Sequence, residues 1–227
     1  MARATRATRR TGQPSPPPRL PSKAPGILEP TTQRGRNTRA KLIAAAREVF
    51  SRVGFSDVRI TDITAAAGVA SGTFYTYFDS KEEIFREVAA QALAEMSAAP
   101  RRPPDDTERD PARQMEAATR RYFASVRRNA RIAHSVEEIQ AREPGVRDAR
   151  REILIVGVKR IERWILRLQR DGTCDARVDA WSTALALHAM NVSVAYDHLV
   201  HRDAPEETEV LLKAAMRIWC ATLGLLR

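Results

Sequence analysis

The chain has 227 residues, 43% of them hydrophobic, and carries 38 Lys and Arg against 28 Asp and Glu, a net charge of +10. That apolar share is enough for a packed core of one large domain or two smaller ones. No apolar run approaches the roughly 20 residues that a membrane-spanning helix needs, and the Arg-rich start has no apolar stretch of the kind a secretory signal requires. An intracellular protein with no membrane partner is therefore expected.

The charge is unevenly placed. Residues 1–36 hold eight basic side chains and one Glu, residues 37–81 six basic and four acidic, and the rest 24 basic and 23 acidic. Nearly all of the excess thus lies in the first 81 residues, which points to a polyanion, either nucleic acid or an anionic surface. Cys174 and Cys220 are isolated in sequence. They suit free thiols in a reducing compartment better than a zinc site or a disulfide framework.

In chain order, residues 1–35 combine Arg, Pro, Thr and Gly, with seven prolines from Pro14 to Pro30. They are expected to be a disordered basic tail, either plainly solvated or tracking phosphates. From Asn37 the pattern turns helical. Leu42, Ala46, Val49, Phe50 and Val53 form one apolar stripe, with Asn37 or Thr38 as the cap and Gly54 as the stop. Residues 61–67 form a short helix capped by Thr61 or Asp62, Gly68 breaks it, and residues 71–78 form the next. A helix from 81 to 98 opens at Asp79-Ser80 and stops at Pro100. Residues 100–111 read as a linker. Prolines and glycines then divide the remainder into helices over 112–141 (broken near Asn129), 146–170, 177–201 and 206–225. Nothing alternates with a period of two, so the fold class is all-α.

Helix, tight turn and helix within about 20 residues is the layout of a helix-turn-helix. Small residues, Ser71-Gly72-Thr73, open the second helix and permit close approach to base edges. Phe74 and Phe78, four apart, face inward, leaving Tyr75, Thr76 and Tyr77 outward or sideways with hydroxyls for phosphates and bases. The run Gly54-Phe55 … Ile60-Thr61-Asp62-Ile63 … Ala67-Gly68-Val69-Ala70-Ser71-Gly72-Thr73-Phe74-Tyr75-Thr76-Tyr77-Phe78-Asp79-Ser80-Lys81-Glu82 resembles the DNA-binding domain of the TetR family of bacterial transcriptional regulators. The likeness spans about 45 residues, from Thr38 to Phe85.

The resemblance implies an N-terminal three-helix DNA-binding domain over 36–82 and a helical ligand-binding and dimerisation domain over 83–227. It implies that Thr61, Ser71, Gly72, Thr73, Tyr75 and Thr76 approach bases or the adjoining sugar-phosphate. Tyr77 and Lys81 stand where phosphate is held, and Arg36, Arg39 and Arg59 join the DNA-contact set. Two positions depart from the pattern. Arg59 replaces a usual Thr or Ser, so the helix after it is expected to cap later. Ala70 replaces a frequent Ser and removes one capping contact.

The resemblance implies that a family member of this length uses its later helices for dimerisation, here as a homodimer through the last two, and for a small-molecule effector pocket. Helices 177–201 and 206–225 are apolar over most of their circumference, as a buried interface requires. Met115, Tyr122, Phe123, Val126 and Ile132 are effector-pocket candidates, and so are Val136, Ile153, Trp164, Leu168 and His188. Plain core packing is the alternative for each. Their apolar character suggests a lipophilic ligand. Arg120, Arg121, Arg127, Arg128 and Arg131 read better as a solvated face than as an anion clamp. His198 and His201, three apart near Asp197 and Asp203, look like a metal pair, but helix-end histidines are commoner, so no metal and no cofactor is assigned.

No nucleotide-binding glycine loop, nucleophile elbow or zinc-protease motif occurs, so catalysis is not expected. The reading is a repressor released from a palindromic DNA operator by a lipophilic effector. The alternative is an interaction protein that keeps the fold but binds protein or anionic surfaces without reading DNA.

Overall fold

The structure is a computed structural model that describes residues 30–97 and 110–225. Residues 100–109 of the expected linker and most of the N-terminal tail lie outside those residues, while Asp110 and Pro111, expected to end the linker, cap and begin a helix. In chain order the elements are α1 (Gln33–Val53), α2 (Ile60–Ala67), α3 (Ser71–Phe74), α4 (Lys81–Ser97), α5 (Pro111–Arg128) and α6 (Ala130–Ile139). There follow α7 (Pro144–Arg170), α8 (Ala180–Tyr196), a π-helical turn (Asp197–His201), a 3-10 turn (Pro205–Glu207) and α9 (Thr208–Leu223). Among the described residues there is no strand, as the absence of a two-residue alternation required.

Several boundaries differ from the sequence expectation for local reasons. Helix α1 begins at Gln33, inside the segment assigned to the tail. Thr32 is its cap, its hydroxyl accepting from Gly35 N at 3.1 Å. Asn37 and Thr38 are interior positions, and the Thr38 hydroxyl donates back to Arg34 O. Gln33 to Arg36 carry no apolar side chain, so periodicity was silent over the turn that Thr32 nucleates. Helix α2 starts earlier than expected, not later. Arg59 is its N-cap residue, and the Asp62 carboxylate accepts from Arg59 N at 2.9 Å, replacing the missing side-chain cap. The expected break near Asn129 is present. The side chain of this buried residue caps α5 by donating to Ser125 O at 2.9 Å.

The apolar side chains pack into three groups. Phe50, Phe74, Phe78, Ile84 and Phe85 fill the head formed by α1 to α4, and Ile132, Val136 and Ile139 of α6 lie in the same core. Val158, Ile165, Leu187, Trp219 and Leu223 hold α7, α8 and α9 together. Leu93, Phe123, Val126, Ala195 and Tyr196 join α4, α5 and the end of α8. The head core therefore runs past residue 82, where the sequence placed its boundary, through Ala92 and into α6.

Helices α7 and α8 meet closely because position 157 has no side chain. A Cβ built on Gly157 would stand 2.7 Å from the His188 ring. Burial there, and then the positive charge of Arg160, push the His188 imidazole down to about 4 from 6.5. The unfolded chain gains a proton near pH 6.5 that the folded chain refuses until about 4. Stability is therefore full above 6.5 and falls as pH drops through that interval. Urea unfolding should show a pH-dependent loss across this window that His188→Gln reduces, by on the order of 2 kcal/mol.

Candidate nucleic-acid interface

The three short elements of the head present one exposed strip. Gly68, left-handed at φ 63°, ends α2 and turns the chain toward α3. Helix α3 holds only Ser71 to Phe74, shorter than the expected 71–78, and the chain continues as turns through Tyr77. Ala70, at its N-cap, supplies no side-chain bond, as its departure from the family pattern implied. The short helix is kept in place from behind: Phe74 and Phe78 are fully buried with ring centroids 5.7 Å apart. Arg59, Thr61, Ser71, Gly72 and Thr76 are exposed around that anchor, as is Tyr75 at 58%. Thr73 is half-buried beside them.

Tyr77 is half-buried against the head core, and its hydroxyl lies beside the first turn of α1: a methyl added to Gly35 would come within 3.7 Å of it. The strip therefore ends where the N-terminal amides of α1 begin. Arg36, exposed in the same turn, bonds Thr31 O at 2.8 Å and Gln33 Oε1 at 3.0 Å. Arg39 points into the molecule. It pairs with Glu87 at 2.8 Å and covers the Phe78 ring at 5.2 Å, so its charge is spent tying α1 to α4.

Lys81, which the resemblance places where phosphate is held, makes its contacts within the chain. Its ammonium donates to Phe55 O at 2.9 Å, to Val58 O at 3.0 Å and to Ser56 O at 3.4 Å, and lies 4.4 Å over the Phe55 ring. An ammonium has three protons, and all three are directed at the loop between α1 and α2. It stitches that loop to the start of α4 instead of reaching outward. The positive charge opposes the dipole of α4, and the three carbonyls offset that cost. The Ser80 hydroxyl caps the helix, accepting from Glu83 N at 3.2 Å.

The ten effector candidates do not form one wall. Ile132 and Val136 belong to the head core. Met115, Trp164 and Leu168 pack between α5, α7 and α9. Tyr122, Phe123, Val126 and Ile153 pack near α4 and the end of α8, and His188 lies against Gly157. Residues three or four apart share a helix face, but which neighbour that face meets depends on packing. His198 and His201 also part company: His198 is buried, while His201 is exposed and bonds Glu137. His201, Glu137 and His134 converge, a cluster the sequence reading missed. Its one local signal was the His134-x-x-Glu137 spacing on α6.

Replacing Lys81 by Met keeps the stem and removes the three bonds. The expected outcome is a stability loss of about 1–3 kcal/mol in chemical unfolding, since partly buried carbonyls lose their charged donor. The salt slope of DNA binding should stay unchanged, where loss of a phosphate contact lowers it by about 1.

Residues 42–88 match the model of a family described as bacterial regulatory proteins, tetR family. Over 88 residues the chain is 31% identical to the HTH-type transcriptional repressor DhaR of Mycobacterium sp. (strain GP1), a stretch covering 39% of this chain and 42% of that one. Over 55 residues it is 42% identical to the HTH-type transcriptional regulator YdgC of Bacillus subtilis (strain 168), covering 24% and 28% of the two chains. The aligned stretch is thus under half the length of either relative. Among solved structures, a TetR-family transcriptional regulator from Pectobacterium atrosepticum aligns over 85% of this chain and 97% of its own, with a TM-score of 0.65 at 24% identity. SmeT, the repressor of the Stenotrophomonas maltophilia multidrug efflux pump SmeDEF, aligns over 82% and 89%, with a TM-score of 0.62 at 19% identity. At such identities the likeness is one of fold. The family match falls on the helices that carry the exposed strip: residues 42–88 resemble the segment by which bacterial regulatory proteins of the tetR family are recognised.

Proposed function

We propose that this protein is a homodimeric, sequence-specific DNA-binding regulator, a repressor that leaves a two-fold operator when a small lipophilic effector binds. The observation that carries the reading is the strip of Thr61, Ser71, Gly72, Tyr75 and Thr76, exposed on a head whose aromatic core fixes it from behind. Small residues and hydroxyls at the start of a short helix suit the floor of a major groove. Arg59, Tyr77 and the first turn of α1 flank the strip where phosphates would run. The basic excess in the first 81 residues supplies the sequence-independent attraction. In this reading Lys81 and Arg39 position the head, and the direct contacts are Arg36, Arg59, Tyr77 and the strip.

Dimerisation through α8 and α9 is supported by what those helices leave outside. Leu187 and Tyr196 of α8 and Leu212, Trp219 and Leu223 of α9 are buried within the chain. Trp181 and Leu185 of α8 and Ile218 of α9 are exposed large apolar side chains, and Ala214 and Thr222 are exposed beside Ile218. A second copy related by two-fold symmetry would cover such a face and set two heads on one side of a duplex. For the effector, four of the candidates (Tyr122, Phe123, Val126 and Ile153) share one apolar cluster with α4 and the end of α8. Their apolar character suits a lipophilic ligand, in keeping with SmeT's role as repressor of a multidrug efflux pump.

A salt-controlled titration against DNA from upstream of the gene, or against an operator selected from genomic fragments, tests the reading with scrambled DNA as competitor. Tyr75→Ala should weaken specific binding by about 1–3 kcal/mol without changing the melting temperature. Equal affinity for operator and scrambled DNA would instead favour an interaction protein that uses the same basic face. The dimer is tested by Ile218→Glu, which should shift the light-scattering mass to that of the 25.4 kDa chain while leaving the helical circular dichroism intact.

A further inference from the structure

Helix α6 and the π turn after α8 bring three ligating side chains together. His134 and Glu137 lie three apart on α6, hence on one face, and His201 closes the π turn. Their ligand atoms lie within 4.8 Å of one another. His201 Nε2 is 2.6 Å from Glu137 Oε2, and the His134 and His201 rings are 6.3 Å apart, tilted edge to face. A simple interhelical ion pair needs only two of these groups. The second imidazole, from the other side of the carboxylate, turns the pair into a two-nitrogen, one-oxygen set.

We propose that His134, Glu137 and His201 form a binding site for a divalent transition-metal ion, Zn2+ first among them, that clamps α6 to the end of α8. Zinc bonds imidazole nitrogen and carboxylate oxygen at about 2.0–2.2 Å. Ligand atoms around one tetrahedral ion then stand about 3.3 Å from each other, inside the present spread. The ion replaces the hydrogen bond between His201 Nε2 and Glu137 Oε2, the bound ring being the neutral tautomer with its proton on Nδ1 and any displaced proton passing to solvent, and the pair opens by less than an ångström.

Three surrounding features fit this use. Arg150 holds the other carboxylate oxygen, Glu137 Oε1, at 3.1 Å and Gln140 Oε1 at 2.9 Å, which aims Oε2 at the imidazoles. Glu138 Oε1 lies 3.5 Å from His134 Nε2, outside the converging set, and water fills the fourth position. A cleft of about 450 Å3, bordered by Glu137, Arg150, Tyr196, Asp197 and His201, gives access from solvent. The Arg150 charge works against any cation. It therefore disfavours Mg2+ and Ca2+, which want several oxygens, and leaves ions that gain from directional nitrogen bonds.

The π turn is the local device that makes the geometry. Its wider winding, closed by Arg202 N donating to Asp197 O at 3.0 Å, sends His198 into the core and His201 out toward α6. Such turns are rare and concentrate at functional sites. On the far side of α6, the Ser135 hydroxyl accepts from Phe55 N at 3.0 Å, at the foot of the DNA-reading head. An ion fixing His134 thus acts on the helix that holds the head. That consequence, unlike the binding itself, rests on the DNA-binding reading.

The test uses the full-length chain with both free cysteines replaced (Cys174→Ser, Cys220→Ser), so that thiols cannot supply the affinity. Zn2+ is titrated in competition with a chromophoric chelator. One ion per chain is expected, and His134→Ala, Glu137→Gln and His201→Ala should each weaken binding at least about 10-fold. Zn2+ should raise the melting temperature of the parent but of none of these variants. Their circular dichroism should match the parent, since all three positions lie at the surface or half-buried. Absence of a saturable site tighter than about 10 µM overturns the proposal, as does parent-like binding in the three variants. Operator affinity measured with and without Zn2+ then tests the coupling. A change that His201→Ala abolishes supports it, and an unchanged affinity at full occupancy removes it. Failure of operator binding in every form counts against the DNA reading and leaves the ion titration unaffected.

Discussion

Helix α4 lies in two cores at once. Ile84, Phe85, Val88, Ala89 and Ala92 are buried in the head, and Leu93 and Met96, towards the end of the same helix, are buried in the body. A rigid helix shared in this way cannot tilt in one core without disturbing the other, because close-packed interiors switch between arrangements instead of deforming smoothly. Two polar ties follow the same line. Arg47 of α1 grips both oxygens of Glu95 on α4 at 2.5 Å and the Asn129 side chain at 3.0 Å. Phe55 N, in the loop after α1, donates to Ser135 of α6. The head is thus fastened to the two helices through which a change in the body would reach it, and any ligand that prefers one arrangement of α4 and α6 shifts the head with it.

That fastening explains how the head divides its polar groups. Lys81 and Arg39, read in sequence as DNA contacts, make bonds within the domain, to loop carbonyls and to Glu87, and Asp62 bonds Arg59 N. With α3 only one turn long, helical hydrogen bonds alone hold it weakly. Rigidity comes instead from buried Phe74 and Phe78 behind it and from the stitched 55–58 loop beside it. A few positioning residues leave the hydroxyls and small residues of the strip free to meet a partner. The same economy recurs at the π turn, where one irregular winding buries His198 and presents His201 to α6.

Much of this was legible in the residues themselves. Prolines and glycines marked the helix ends, the absence of period-two alternation excluded a sheet, and the Gly68 to Lys81 run carried the family likeness. Phe74 and Phe78 were readable as inward because they are four apart in a short helix. Cap positions were less so: the expected cap at Asn37 or Thr38 lost to Thr32, and Arg59 began α2 early because Asp62 could bond its amide. These are contests between adjacent residues decided by single hydrogen bonds worth about 1 kcal/mol, too small for periodicity to register.

What the sequence by itself determined was the helical content, the location of the stretch that carries the family likeness and the inward placement of Phe74 and Phe78, because those depend on neighbours within a turn or two along the chain; Val53, grouped by its spacing with the α1 stripe, is exposed. Tertiary structure alone decided which inward sides meet. Ile132 and Val136 went to the head core while Met115 and Trp164 went to the body. Lys81 turned to Phe55 O across 26 positions, and His201 turned away from His198 to reach Glu137, 64 positions back. Hydrophobic burial is non-directional, so an apolar or polar face carries no label naming its partner. The partner is chosen only when all the helices pack together at once.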